Sequence, residues 1–251
     1  MNIPTDHPRY RSLMVRERLS EMVDKGLVTR TGLISHGRGE AFDYLMGERS
    51  PEPSLRAERA AAAYLLRAKN PVVCVNGNAA ALDPGNLIAL AREIPAKIEV
   101  NIFHRTEERM ELLISHLEKN GAGEVLGRDP DTRIPGLSSD RAMCTKEGIY
   151  DSDVILVPIE DGDRAKALAD MGKIVISIDL NPLSRTSRTA AVSISDEMTR
   201  ALENIIGAVK EMRGKHDVIE ETIRTFSNER NRKEIVEEIC SFLRSEFDRG
   251  G

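Results

Sequence analysis

Residues Ile174 to Arg188 run from a β-branched apolar stretch into a polar loop. Such a stretch reads as a buried strand, and in an open parallel sheet ligands bind just beyond the carboxyl ends of the strands. The loop carries the Asp179 carboxylate, the Asn181 amide, hydroxyls at Ser184, Thr186 and Ser187, and guanidiniums at Arg185 and Arg188. That set suits a ligand with a polar sugar and a polyanionic tail, which describes a nucleoside phosphate. The plainer alternative is a solvated turn, since polar residues dominate turns generally.

Other polar stretches raise the same question. In Ser35-His-Gly-Arg-Gly-Glu-Ala-Phe-Asp-Tyr44, Gly37 and Gly39 flank Arg38. Glycines let a backbone approach a ligand closely, a helix start offers free N–H groups to an anion, and arginine adds a forked, permanent charge. His36 alone would carry no such weight. The turn Asn76-Gly77-Asn78 ends a predicted strand, and its N–H groups suit a single phosphate. Asn101, His104, Arg105 and Thr106 follow the next strand; Thr106 reads as a helix cap, whereas Arg105 can grip a phosphate. Glu160, Asp161 and Asp163 follow a later strand and suit Mg²⁺ bound through water or a substrate ammonium, with helix capping by Asp163 as the alternative. A dinucleotide fingerprint would need more glycines after the first strand and an acidic residue after the second, and neither is present. There is also no P-loop, His-Glu-x-x-His or serine nucleophile elbow.

The elements that must hold these loops alternate. Strands are predicted at Val72–Val75, Lys97–Phe103, Glu124–Leu126, Asp153–Pro158, Ile174–Asp179 and Ala191–Ile194, with helices between most of them. This pattern predicts an α/β fold with a mainly parallel sheet and right-handed crossovers, so the polar loops should share one sheet edge. Asp83-Pro84, Thr106 and Asp196 are expected to open helices. A helix is predicted from His7 to Lys25, ended by Gly26. Residues 29–40 read as a connector, and a short helix follows from Ala41 to Met46, closing at Gly47. Ser54 is expected to cap an Ala-rich helix reaching Lys69. The predicted organisation is a helical N-terminal segment at 1–69, a nucleotide- and substrate-binding core at 70–213 and a charged helical tail at 214–251, expected to form one compact domain.

Composition limits the partners. The formal charge is −5, with 36 basic and 41 acidic residues, so nothing suggests a broad nucleic-acid-binding face. No apolar run approaches the roughly 20 residues that span a membrane. Cys74, Cys144 and Cys240 are too few and too scattered for a disulfide framework or a zinc site, and the expected setting is reducing and cytoplasmic.

Several stretches together resemble the archaeal-type phosphopantothenate synthetases, or 4-phosphopantoate–β-alanine ligases. They are His7 to Leu13, Gly32 to Leu45, Val75 to Asn78, Asn101 to Thr106, Tyr150 to Gly162 and Asp179 to Thr186. The run His36-Gly-Arg-Gly-Glu-Ala-Phe-Asp-Tyr44 is the most specific of these. The resemblance implies a Rossmann-like fold, a homodimer, and condensation of 4-phosphopantoate with β-alanine using ATP and Mg²⁺ in coenzyme A biosynthesis, releasing AMP and diphosphate through an acyl-adenylate. It implies ATP contacts at Arg16, Arg38, Asp179, Leu180, Asn181, Arg185, Thr186, Glu197 and Met198, with Arg38 and Arg185 also expected to stabilise charge during the reaction. Position along the predicted sheet edge, and not the resemblance, nominates Asn76, Gly77, Asn78, Asn101, Arg105, Glu160, Asp161 and Lys69 for the other reactants; no metal ligands are assigned. An NAD-dependent oxidoreductase and a non-catalytic nucleotide-binding module are the alternatives.

Overall fold

The computed structural model describes residues 3–248; the outermost residues of the first and last predicted segments, 1, 2 and 249–251, lie outside that range. The N-terminal segment forms helices α1 (Tyr10–Asp24), α2 (Arg30–Leu45) and α3 (Glu52–Arg67). The chain then alternates through β1 (Pro71–Val75), α4 (Gly77–Leu82), α5 (Pro84–Glu93), β2 (Lys97–Val100), α6 (Glu107–Lys119) and β3 (Val125–Leu126). After a short hairpin, β4 (Thr132–Arg133) and β5 (Met143–Cys144), come β6 (Val154–Pro158), α7 (Gly162–Asp170), β7 (Ile174–Ile178), α8 (Arg185–Thr189), β8 (Val192–Ile194) and α9 (Met198–Met212). The tail forms α10 (His216–Thr225) and α11 (Asn228–Asp248).

Apolar β-branched runs produce the sheet. Every residue of β1 and β6 is buried, as expected for strands covered on both faces. Side chains alternate between two cores, Val73 and Val75 entering one and Val72 and Cys74 the other. The six strands are all parallel, in the order β3-β2-β1-β6-β7-β8. Growth of the sheet reverses between β1 and β6, so the connections after these strands diverge and leave a crevice at their carboxyl ends. This is the expected Rossmann-like arrangement.

The larger core runs from Val15 of α1 through the sheet to Ile219 of α10. In α3, Ala57, Ala60, Ala61, Ala62 and Ala63 are all buried, and small side chains let neighbouring helices approach closely. At the start of α11, Asn228 accepts from the Ser193 N–H at 2.9 Å and donates to the carbonyls of Ser187 and Ala190 at 2.9 and 2.8 Å, so the tail is clipped to the sheet. Among the described residues no helix is long and apolar enough to cross a membrane.

Several local expectations hold. Asp83 accepts from the Asn86 N–H at 3.0 Å and Thr106 from the Arg109 N–H at 3.2 Å, each capping the helix it precedes. Others need correction. The connector at 29–40 is helical: Thr29 caps α2 by accepting from the Gly32 N–H at 3.0 Å, and the helix continues through Gly37 and Gly39. Glycine disfavours a helix by about 1 kcal/mol, which capping and tertiary packing outweigh. The Asn76–Asn78 turn is the start of α4, with Asn76 accepting from the Ala79 N–H at 3.0 Å. Ser54 lies inside α3 and donates to the Ser195 carbonyl at 2.5 Å, so it does not cap that helix. Glu197, not Asp196, caps α9; Asp196 instead pairs with Arg200 one turn on, at 2.6 Å. The β4–β5 hairpin was not expected, because strands of two residues carry no hydrophobic period.

Candidate active site

Four cavities adjoin one another along the carboxyl edge of the sheet, sharing wall residues. The first, about 320 Å³, lies at the switch point between the start of α2, α4, the loop after β2 and the loop after β6. It shares Ser35 and Ile159 with a second of about 70 Å³, beside Asp179 and the start of α9. That one shares His36, Leu180 and Glu197 with a third of about 250 Å³, under α1 and α2. A fourth, about 630 Å³, meets the first at Phe103, Arg141 and Asp161 and reaches Arg185.

At the switch point, Asn76, Gly77, Asn78 and Asp161 line the first cavity as the sequence suggested. Their local roles differ. The Asn76 amide donates to the carbonyls of Pro158 and Ile159 at 2.8 and 3.1 Å, fastening β1 to the end of β6. Gly77 packs against the Leu27 carbonyl oxygen, where a β-carbon would collide. Asn78 donates to the Gly32 carbonyl at 2.9 Å, tying α4 to α2. Arg109 and Arg141 share this wall and were missed in the sequence. Arg109 donates to the carbonyls of His104 at 2.6 Å and Leu27 at 3.5 Å, and among the described residues it forms no ion pair. Burial pushes its guanidinium down from its ordinary value. The Nε atoms of both arginines are buried without a partner. Thr29, Thr31 and Ser35 add hydroxyls beside the positive end of α2.

Beneath this cavity lies a buried ionic cluster. Glu160 bonds both Arg141 and Arg164, and the side chains of Glu160 and Arg164 are 1% exposed. Burial opposes ionisation of Glu160, but the two guanidiniums outweigh it and hold its carboxyl below the ordinary value. Its charge is already balanced within the protein. Asp161, next in sequence, stays accessible, lies 3.6 Å from Arg141 and has its carboxyl pushed up by burial. Asn101 is buried and donates to the carbonyls of Arg141 and Met143 at 3.3 and 2.9 Å, which holds the insert over the sheet. Arg105 donates to the carbonyls of Gly127 and Arg128 at 2.8 and 2.9 Å. Asn101, Arg105 and Glu160 line none of the four cavities. Lys69 precedes β1 and lies at the opposite edge of the sheet, where its backbone N–H donates to Asp153 at 2.7 Å; that expectation is corrected.

On the other side, Asp179, Leu180, Glu197 and Met198 meet around the second cavity. Asp179 accepts from the Asn181 N–H at 3.0 Å and from Ser184; burial pushes its carboxyl up and these bonds pull it back. Asn181 accepts from the Leu183 N–H at 2.9 Å, and Thr186 is buried and donates to the Glu160 carbonyl at 2.7 Å. These bonds shape the loop after β7 and join it to the loop after β6. Glu197 Oε1 and His36 Nε2 are buried without partners, and burial lowers the His36 pKa, so its imidazole is neutral at pH 7. Arg16, Arg38 and Arg185 are exposed. Arg16 pairs with Glu40 at 2.8 Å, Arg185 pairs with Asp163, and exposed Arg38 touches Ser35 at 3.4 Å. Arg185 borders the fourth cavity; Arg16 and Arg38 border none of the four.

The missed arginines had no loop signal: Arg109 lies one turn into a helix, and Arg141 belongs to an insert without periodic pattern. Among the described residues no group of three or more His, Cys, Asp and Glu is placed to hold a metal. The edge thus sets a guanidinium without a carboxylate partner among the described residues, Arg109, in one cavity and the carboxylates Asp179 and Glu197 around another.

Comparisons with known proteins give the family. The family described as phosphopantothenate/pantothenate synthetase matches residues 53–242. A 4-phosphopantoate–β-alanine ligase of Methanosarcina mazei is 51% identical over 245 residues, which is 97% of this chain and 96% of the relative. One from Thermococcus kodakarensis is 50% identical over 214 residues, 85% of this chain and 82% of the relative. Another from Methanospirillum hungatei is 52% identical over 203 residues, 81% and 83%.

Proposed function

The chain belongs to the phosphopantothenate/pantothenate synthetase family, and from that premise we propose how its crevice divides the reactants. The protein is a ligase that joins 4-phosphopantoate to β-alanine, forming the amide of 4'-phosphopantothenate in coenzyme A biosynthesis. The observation that carries the arrangement is Arg109, a half-buried guanidinium with no carboxylate partner among the described residues, on the wall of the switch-point cavity. It takes the phosphate of 4-phosphopantoate, helped by the Thr29, Thr31 and Ser35 hydroxyls and by the walls that Gly77 and Asn78 provide. Asn76, Asn101, Arg105 and Glu160 hold that cavity's walls from behind.

ATP is the second substrate and lies across the neighbouring cavities. The unpartnered Glu197 Oε1 fits an exocyclic amine, and the Asp179–Leu180–Asn181 turn faces the nucleoside. Met198 packs beside it, while Thr186 fixes the turn that presents Arg185. Arg16, Arg38 and Arg185 are accessible and available to the phosphates. Magnesium enters with ATP; the carboxylates nearest this route are Asp161 and Asp163, and a metal bound largely through phosphates and water needs no larger protein cage. When bound, it neutralises phosphate charge.

A free carboxylate does not accept an amine at neutral pH. The 4-phosphopantoate carboxylate attacks the α-phosphorus of ATP, diphosphate leaves, and the resulting acyl-adenylate is attacked by the β-alanine amine with loss of AMP. Arg38 and Arg185 balance charge as diphosphate departs, and Asp161 receives the ammonium and a proton from it. The protein works as a homodimer in the cytoplasm, with the described residues of the N-terminal segment, the core and the tail folding as one unit around the common core. The decisive assay supplies ATP, Mg²⁺, β-alanine and 4-phosphopantoate labelled with ¹⁸O in its carboxylate. AMP bearing the label is expected; ADP with label in phosphate would replace the adenylate by an acyl phosphate.

A further inference from the structure

Away from the sheet edge, where the tail crosses α3, lies a further cavity of about 160 Å³. Arg56 and Arg59 of α3 and Arg230 of α11 line it, with Ser227 and Asn231, and no carboxylate is on its wall. The acidic partners stand to the side: Glu234 pairs with Arg56 and lies 3.9 Å from Arg230, and Glu211 pairs with Arg59 at 2.6 Å. Three guanidiniums therefore share two carboxylates, in a chain whose overall charge is −5.

Asn231 supplies an independent observation. It is 3% exposed, and neither its Oδ1 nor its Nδ2 has a partner. Buried amides are rarely left unmet at both ends, because the lost hydration is not recovered. The 21-residue helix α11 also starts at this wall, with the Arg230 N–H donating to Ser227 Oγ at 3.3 Å. Its positive end adds to the guanidinium field. The unmet Asn231 pair needs one acceptor and one donor from the same ligand. Inorganic phosphate at neutral pH has both, as oxyanion oxygens and a P–OH group, whereas sulfate has no proton to give and a phosphate monoester, with a second pKa of about 6, has largely lost its own.

We propose that this cavity binds inorganic phosphate, a tetrahedral oxyanion that retains a proton at neutral pH, between Arg56, Arg59, Arg230 and Asn231. The anion clips α11 to α3. Its chemistry is separate from the phosphate expected beside Arg109, more than one helix away in sequence.

Thermal unfolding of the full chain in phosphate, sulfate and chloride at matched ionic strength tests this. About 10 mM phosphate is expected to raise the midpoint by a few degrees, more than sulfate does. The phosphate increment should persist in Arg109→Gln and vanish in Asn231→Asp. In chloride, Asn231→Asp should unfold at or above the wild-type temperature, because its carboxylate takes the anion's place among the guanidiniums. Where Asn231→Asp does not fold, Arg230→Gln serves instead, since that side chain is largely exposed, and it should reduce the increment by at least half. A glucose phosphate monoester, largely without a P–OH at neutral pH, should give a smaller increment than inorganic phosphate, and an equal one overturns the proposal. An increment absent from the wild type, or retained in Asn231→Asp and Arg230→Gln, or lost in Arg109→Gln alone, overturns the proposal.

Discussion

The two halves of the crevice bury charge in opposite proportions. Under the insert between β3 and β6, two buried guanidiniums, Arg141 and Arg164, share one buried carboxylate, Glu160, while accessible Asp161 lies 3.6 Å from Arg141. Under the start of α9, one guanidinium, Arg200, serves two carboxylates, Asp43 and Asp196, while Ser50 also donates to Asp196. Glu58 is buried behind Asp196, and burial, followed by that neighbouring charge, pushes its carboxyl up to about 9. One half thus buries more positive than negative charge among these groups, its second carboxylate being accessible Asp161, and faces the cavity expected to take an anionic substrate. The other has surplus negative charge and keeps a proton at neutral pH. A low-dielectric interior does not tolerate uncompensated charge, and the compensation comes from an accessible carboxylate, Asp161, in one case and from a proton on Glu58 in the other.

The largest effect should come from breaking the insert-side cluster. Glu160→Gln leaves Arg141 and Arg164 buried without their carboxylate and is expected to cost about 3–5 kcal/mol, measured as a lower urea midpoint. A loss under about 1 kcal/mol would mean that the arginines find compensation elsewhere and that the contrast is false.

The proton on the other side should appear in the pH profile. Between pH 5 and 8 the folded chain retains a proton on Glu58 that the unfolded chain, near its ordinary 4.5, has released. The folded state therefore binds more protons, and this group makes stability fall as pH rises, by at most about 1.4 kcal/mol per unit. Glu58→Gln removes that dependence and should gain about 1–3 kcal/mol on the wild type between pH 5 and 8. Parallel stability profiles for the two proteins would place the proton elsewhere.

The smallest change in stability, and a sharp one in activity, should come from the exposed arginines. Among the described residues Arg38 makes one side-chain hydrogen bond, to Ser35 at 3.4 Å. Both Arg38→Lys and Arg38→Ala should stay within about 0.5 kcal/mol of wild-type stability. Both should also lower kcat/KM for ATP by roughly tenfold or more, because an ammonium does not reproduce a forked contact. Near-full activity in the lysine variant would make Arg38 a background charge.

Much of the frame was legible. The apolar runs at Val72–Val75, Val154–Val157 and Ile174–Ile178 announced strands, and the polar residues that follow them lie at one sheet edge as expected. Thr106 and Asp83 marked helix starts through short-range bonds that sequence neighbours alone can make. Helix α2 was hidden by its glycines, since its support comes partly from Asn78, 46 residues away. Asn101 and Glu160 were read as ligand groups because polar residues at strand ends look alike whether they face a cavity or the protein. Arg109 and Arg141 had no local signal at all.

The sequence by itself determined the alternation of strand and helix, the edge on which polar loops gather and the resemblance that names the reaction, because these depend on periodicity, caps and contiguous motifs. Tertiary structure decided which of those polar groups remain available. Glu160 and Asp161 are adjacent in the chain, yet one is enclosed between two guanidiniums and the other borders two cavities. Glu58 sits in an alanine-rich helix that looks unremarkable as a string, and holds its proton because the fold brings Asp196 against it. Burial and the charges assembled around a group set its chemistry, and both are made by residues far apart in the chain.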